Sequence, residues 1–312
     1  MRTSIQGCDT RGDAAISISD VAQFSVLHRP ARRASRALWR ARRSALSWVG
    51  LAITLGVLAL AAIGPLIAPY PQAAAAVVDF SAALQPPSAA HLMGTDDAGR
   101  DLLSRVIIGA RISVMTGLMI VAIGSVIGIT VGLVGGYVGG FANVALMRIA
   151  DVFLAIPSVA LAVAITTVLR PSLTTTMLAI SLVWWPWMAR LVQAEVLSIK
   201  EEAFVDASRT YGASHFHIIM HDILPNVTSV IVVKATLDIG FAILLAAALG
   251  FLGVGVQPPA PEWGSMIATG RQYLPDAWWF STFPGLAIFI TVIGVNLFGD
   301  TLRDVLDVKF DA

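Results

Sequence analysis

The feature that most limits what this chain can fold into is its long stretches without a charged residue: Ser44–Val78, Ile112–Met147, Val152–Leu169 and Pro171–Ala189. About 20 mainly apolar residues suffice to cross a bilayer as a helix, the form that satisfies its own backbone hydrogen bonds in lipid. Each window has room for one such helix. Two further apolar runs, near 229–251 and 280–299, extend the series. Only 13% of the 312 residues are charged, roughly half the share in an average soluble domain. The expected fold class is an all-α polytopic membrane protein with six transmembrane helices, embedded in a lipid bilayer. The spans are placed at about 46–67, 113–136, 149–168, 173–192, 229–251 and 280–299.

Charge sets the expected topology. Seven arginines lie between Arg29 and Arg43, and an excess of basic residues marks the cytoplasmic side. Residues 1–44 are therefore read as a cytoplasmic, Arg-rich tail, and 45–312 as one transmembrane domain. The apolar run Leu46–Ile67 exceeds the 7–15 residues usual for a signal-peptide core, so it reads as an anchor that is retained. Six crossings return the C-terminus to the cytoplasm. The loop 193–226, flanked by Arg190 and Lys200, falls on the same side. A formal net charge of +1 gives no ground for a nucleic-acid partner. The single cysteine, Cys8, excludes an intramolecular disulfide. None of the three lysines follows a glycine-rich loop, so the chain has no P-loop of its own.

The loop is the one long polar interruption. In EEAFVDASRTYGASHFHIIMHDILPN (Glu201–Asn226), Phe204, Ala207, Ser208 and Tyr211 recur at helical spacing and so share a face. Glu201, Glu202 and Asp206 suit a helix N-terminus. Gly212 suits a left-handed stop, Ser214 a cap for the next helix, and Pro225 a break in that helix. Small residues near the turn, Ala207, Ser208, Gly212 and Ala213, permit close approach of another surface. A plain solvated hairpin is the competing reading.

Three other groups stand out. Gly124, Gly128, Gly132, Gly136 and Gly140 recur every four residues, a ridge that favours close helix packing in lipid. Lys234 and Asp238 stand at i, i+4 in the fifth span, a spacing at which they can pair on one helix face, and are expected to form an intramembrane ion pair. It is read first as a structural pair at a bundle interface and second as part of a substrate path. His215, His217 and His221 lack the thiolate company common in structural zinc sites and are read as polar surface. Trp184, Trp185 and Trp187 around Pro186 read as packing and kink residues, and Trp278 and Trp279 as interfacial anchors. Pro157, Pro186 and Pro284 mark kinks. No catalytic pair, metal site or cofactor site is expected in this chain.

Asp206-Ala207-Ser208, three residues, Gly212, then Leu224-Pro225 resembles the EAA loop of permease subunits of ABC importers. The glutamate is replaced by Asp206 and the second alanine by Ser208. GTDDAGRDLLSRVIIGARIS (Gly94–Ser113), FLGVGVQPPAPEWGSMI (Phe251–Ile267) and NLFGDTLRDVLD (Asn296–Asp307) are similar to the second permease of the dipeptide/oligopeptide/nickel group. The resemblance covers roughly 45–310. It implies a type I ABC importer permease fold in a bacterial cytoplasmic membrane. It also implies four kinds of companion: a second homologous permease, two ATPase subunits that carry the ATP and magnesium, an extracytoplasmic solute-binding protein, and the bilayer. The docking residues it implies are Glu202, Phe204, Asp206, Ala207, Ser208, Tyr211, Gly212, Ala213, Leu224 and Pro225. Small peptides are the expected cargo, with nickel or glutathione as alternatives. Readings from other classes are an ion-driven secondary transporter and, with less support, a membrane enzyme.

Overall fold

The computed structural model describes residues 45–74 and 78–306; the Arg-rich tail and Asp307, the last residue of NLFGDTLRDVLD, lie outside them. Among the described residues the chain is almost wholly helical. The helices are α1 (Ala45–Ile67), α2 (Leu102–Val138), α3 (Gly140–Ala155), α4 (Ser158–Leu169), α5 (Leu173–Ile199) and α6 (Ala203–Thr210). They continue with α7 (His215–Phe251), α8 (Trp263–Gly270) and α9 (Trp278–Leu306).

Four helices, α1, α2, α7 and α9, are long and apolar enough to cross a membrane, and the bent pair α3–α4 makes a fifth candidate. The fourth expected span is a single helix, α5, of 27 residues. Its threonines, tryptophans and Arg190 make it less apolar than those four helices, and it is not among the candidate spans. The expected third span, 149–168, is two helices that meet at 89°. The break falls at Ile156–Pro157. Ile156 takes φ −94°, ψ 132°, the extended conformation that a following proline favours. Pro186 and Pro284, by contrast, lie inside continuous helices.

Helix α2 is the spine. It runs along α5 and also packs on α1, α3 and α7; α9 closes the other side against α1 and α7. Gly128, Gly132 and Gly136 put α2 almost in backbone contact with α5. A Cβ on Gly132 would sit 2.7 Å from the Ala189 carbonyl oxygen and from Val192 Cβ. Gly124 faces the same helix with ordinary room, 3.6 Å to the Ser181 carbonyl. Gly140 departs from the ridge: nothing lies within 4 Å of its would-be Cβ, and its φ is +51°. It begins α3 instead of continuing α2.

One end of the bundle is sealed by the segment Gly94–Arg105. Asp101 caps α2, its carboxylate accepting from Ser104 N–H at 2.8 Å. Asp96 is fully buried and accepts from Arg100 Nε at 2.7 Å; Arg105 Nε lies 3.2 Å from it. Trp263 and Trp279 close the same end, their indole N–H groups donating to the Val106 and Thr95 carbonyls. Trp279 is thus a buried packing residue and not the interfacial anchor expected; only Trp278 is exposed. A tryptophan N–H buried in a helical bundle needs an acceptor, and the irregular 82–101 segment supplies one. Glu262 caps α8 through the Gly264 and Ser265 amides. Burial pushes its carboxyl above the usual range, an effect those amides oppose.

Candidate functional site

The polar loop folds into α6, a tight turn and the first turns of α7. α6 is anchored by one side chain: Val205 is fully buried, with Val196, Ile199, Ile218, Ile223 and Val227 around it. Its opposite face is open. Phe204, Ala207 and Tyr211 are exposed and Ser208 half-buried, with Tyr211 at 91% exposure. An exposed aromatic pair on a short, firmly seated helix is unusual unless another surface covers it. Glu202 is the N-cap residue, without a side-chain capping bond.

Asp206 is not a bare charge. Its carboxylate accepts from Arg209 Nη1 at 2.9 Å on the same helix, an exposed i, i+3 pair. Gly212 takes φ +79°. Ala213 N–H donates to the Ser208 carbonyl and Gly212 N–H to the Arg209 carbonyl, the paired bonds of a Schellman ending. Ser214 then caps the next helix, accepting from His217 N–H.

Pro225 does not break that helix. α7 runs without interruption from His215 to Phe251, about 55 Å at 1.5 Å per residue. The strain is absorbed just before the proline, where Ile218–Ile223 form a π-helical turn. A widened turn removes the clash between the proline ring and the preceding carbonyls and leaves one fewer N–H to satisfy. The second half of the loop, from His215, and the fifth span are therefore one rod. Leu224 is half-buried and Pro225 exposed on it. Links from the loop to α2 reinforce this: Tyr137 Oη bonds His215 Nδ1 at 2.8 Å, and Lys200 Nζ donates to the Gly136 carbonyl at 3.3 Å. His217 and His221 stack, ring centroids 4.4 Å apart, on the exposed side of α7.

Periodicity located the exposed face of α6 but missed its anchor. In sequence nothing separates Val205 from its apolar neighbour Phe204; only the hydrophobic residues at 218, 223 and 227 complete its socket.

A second constellation lies within the bundle. Lys234 and Asp238 pair on α7, and Lys234 Nζ sits 5.7 Å from the centroid of the Trp184 ring. The pair lines an open cavity of about 570 Å³ with Ser158, Trp184, Trp187 and Phe241. Asp238 is 2% exposed; its Oδ2 has no hydrogen-bond donor, and Trp184 Nε1 has no acceptor. Trp185 turns the other way, buried edge-on against Phe153 at 5.6 Å.

Comparison with known proteins places these features in context. Residues 124–311 match the family model "Binding-protein-dependent transport system inner membrane component", and residues 33–87 match "N-terminal TM domain of oligopeptide transport permease C". The chain is 44% identical over 275 residues to the probable D,D-dipeptide transport system permease protein DdpC of Escherichia coli (strain K12), covering 88% of this chain and 91% of the relative. It is 46% identical over 268 residues to the dipeptide transport system permease protein DppC of the same organism, covering 84% and 88%. It is 45% identical over 266 residues to the di/tripeptide transport system permease protein DppC of Pseudomonas aeruginosa (strain UCBPP-PA14), covering 83% and 87%. The fold is similar to a chain in inward-facing structures of the MetNI methionine ABC transporter. The TM-score is 0.55 at 21% identity, covering 66% of this chain and 96% of that one.

Proposed function

The chain belongs to the family of binding-protein-dependent transport system inner membrane components, and from that premise we propose that it is one permease subunit of an ATP-driven ABC importer for small peptides. The observation that carries the reading is the build of α6: one face seated on Val205, the other open, and the chain beyond it continuous with a membrane-length helix. A docked partner that moves α6 moves α7 with it, because Val205 seats α6 among Ile218, Ile223 and Val227 on the first turns of α7. Packed helices have discrete arrangements, so a push at the loop switches the bundle between states and does not merely bend it. The names of the three relatives favour peptides over nickel or glutathione.

In this proposal two ATPase subunits receive Phe204, Asp206, Ala207 and Ser208 of α6, with Tyr211 just beyond its end, and hold the ATP and magnesium. A second, homologous permease completes the translocation path, and a separate solute-binding protein delivers cargo from outside. The membrane is the bacterial cytoplasmic membrane; the 193–226 loop and both termini face the cytoplasm, with the described helices and the bent α3–α4 pair arranged as six crossings. Hydrolysis is the work of the partners; this chain supplies the path and the lever.

The test is reconstitution. The chain, purified with its companion subunits into liposomes, takes up labelled dipeptides only with ATP on the loop side and binding protein on the other. Uptake driven by an ion gradient in the absence of ATPase subunits would overturn the reading in favour of a secondary transporter.

A further inference from the structure

We propose that the cavity between α4, α5 and α7 is a subsite on the translocation path that accepts the free α-ammonium group of a peptide in transit, with Asp238 as the acceptor. The inference rests on the peptide reading above. A buried ion pair that serves only to hold helices together has its remaining lone pairs satisfied, because a half-satisfied buried charge is costly. Here Asp238 Oδ1 pairs with Lys234, while Oδ2, equally buried, has no donor. That oxygen belongs to a residue on the wall of a cavity of about 570 Å³, a size ordinary for small-molecule sites. Charged residues at membrane depth that line a cavity mark pathways more often than scaffolds.

The surroundings select the ligand. Trp184, Trp187 and Phe241 line the cavity beside the carboxylate, with the Trp184 and Phe241 rings 6.2 Å apart. One carboxylate oxygen with aromatic faces suits an organic ammonium. It does not suit a hard divalent cation, which needs an oxygen-rich shell. The lining residues supply no second carboxylate for one. Lys234, whose Nζ lies over the Trp184 ring, is the counter-charge of Asp238 between passages. The peptide's other end has a counterpart as well. Ser158 opens α4 at the 89° break, and no side chain caps that helix. The free N-terminus of a broken membrane helix favours anionic groups, here a carboxylate. Apolar walls between the two poles tolerate varied side chains.

The experiment compares the wild-type complex, purified with its companion subunits and reconstituted in liposomes, with Asp238→Asn and with the double substitution Lys234→Met/Asp238→Leu. The probe is a defined pool of dipeptides of L and D residues read by mass spectrometry. Subunit retention and dipeptides taken up per ATP hydrolysed are scored. The expected result is that the double variant keeps its companions, since apolar residues replace a buried pair without loss, yet its uptake per ATP falls at least tenfold, as it does for Asp238→Asn. If Asp238→Asn loses its companions but the double variant keeps them without transporting, the subsite still stands. Wild-type uptake per ATP in the double variant would overturn it and leave a structural pair. Loss of the second permease from both variants would overturn it in favour of a contact between subunits. A wild-type complex that carries no dipeptide would overturn the peptide reading itself, and the subsite with it.

Discussion

Gly212 and Asp206 show how differently two residues of one loop are constrained. The would-be Cβ of Gly212 meets nothing within 4 Å, so what glycine supplies there is φ +79° alone. A β-branched residue is strongly disfavoured at positive φ, whereas asparagine tolerates it. Gly212→Val therefore lowers ATP-driven uptake at least tenfold by misaiming α6, while Gly212→Asn keeps most of it; equal activity of the two in the reconstituted complex would refute a backbone role. Asp206 contributes charge on an open face. Asp206→Lys removes the Arg209 pair, sets two cations at i, i+3, and reverses a sign at the proposed interface, where like charges cost several kcal/mol. Pull-down of the ATPase subunits is expected to fall more than tenfold, with membrane insertion unchanged. Full recovery of ATPase subunits by Asp206→Lys would mean that this face of α6 docks nothing.

At the scale of elements, the glycine ridge of α2 decides how near α5 comes. The contact at Gly132 is with a backbone carbonyl, which has no rotamer into which to retreat. Gly132→Leu forces the helices apart and is expected to cut the yield of assembled complex several-fold. Gly124→Ala, whose new methyl lies at ordinary contact distance, is expected to assemble normally. Size-exclusion profiles of the two variants check the pair, and normal assembly of Gly132→Leu would contradict the observed packing. The π turn Ile218–Ile223 raises a companion expectation. Pro225→Ala restores an N–H and the option of regular α-helix, rotating α6 relative to α7. Uptake per ATP then falls while complex yield stays unchanged, because the proline sets register and not stability. Unaltered coupling in Pro225→Ala would show that the turn has no part in the lever.

For the whole molecule the consequence is topological. With Cys8 replaced, single cysteines at Glu201 and Gln272, both exposed, lie on opposite sides of the membrane in the proposed arrangement. They are expected to label oppositely with an impermeant thiol reagent in intact cells; the same labelling at both would discard the six-crossing topology. Glu201 serves better than positions near 193, because α5 continues to Ile199 and Gln193 is engaged with Asn143.

What the sequence determined by itself was the class of solvent and the place of the main site. Apolar runs of membrane length, the polar 201–226 interruption and Gly212 are local signals, each legible within about 20 residues because bilayer thickness and backbone sterics act locally. The α6 face from Phe204 to Tyr211 was legible for the same reason. Only the tertiary structure decided the rest. A proline alone does not say whether a helix breaks, as at Pro157, bulges, as before Pro225, or continues, as at Pro186. The neighbours that can satisfy the freed carbonyls decide, and they come from distant segments. Val205 becomes an anchor only when Ile218 and Ile223 surround it. Trp279 is buried because the Thr95 carbonyl is there to receive its N–H. The same holds for Lys234 and Asp238. Their pairing is written in a four-residue spacing, but the cavity that they line also needs α4 and α5, and the glycine-spaced spine of α2 sets where α5 stands.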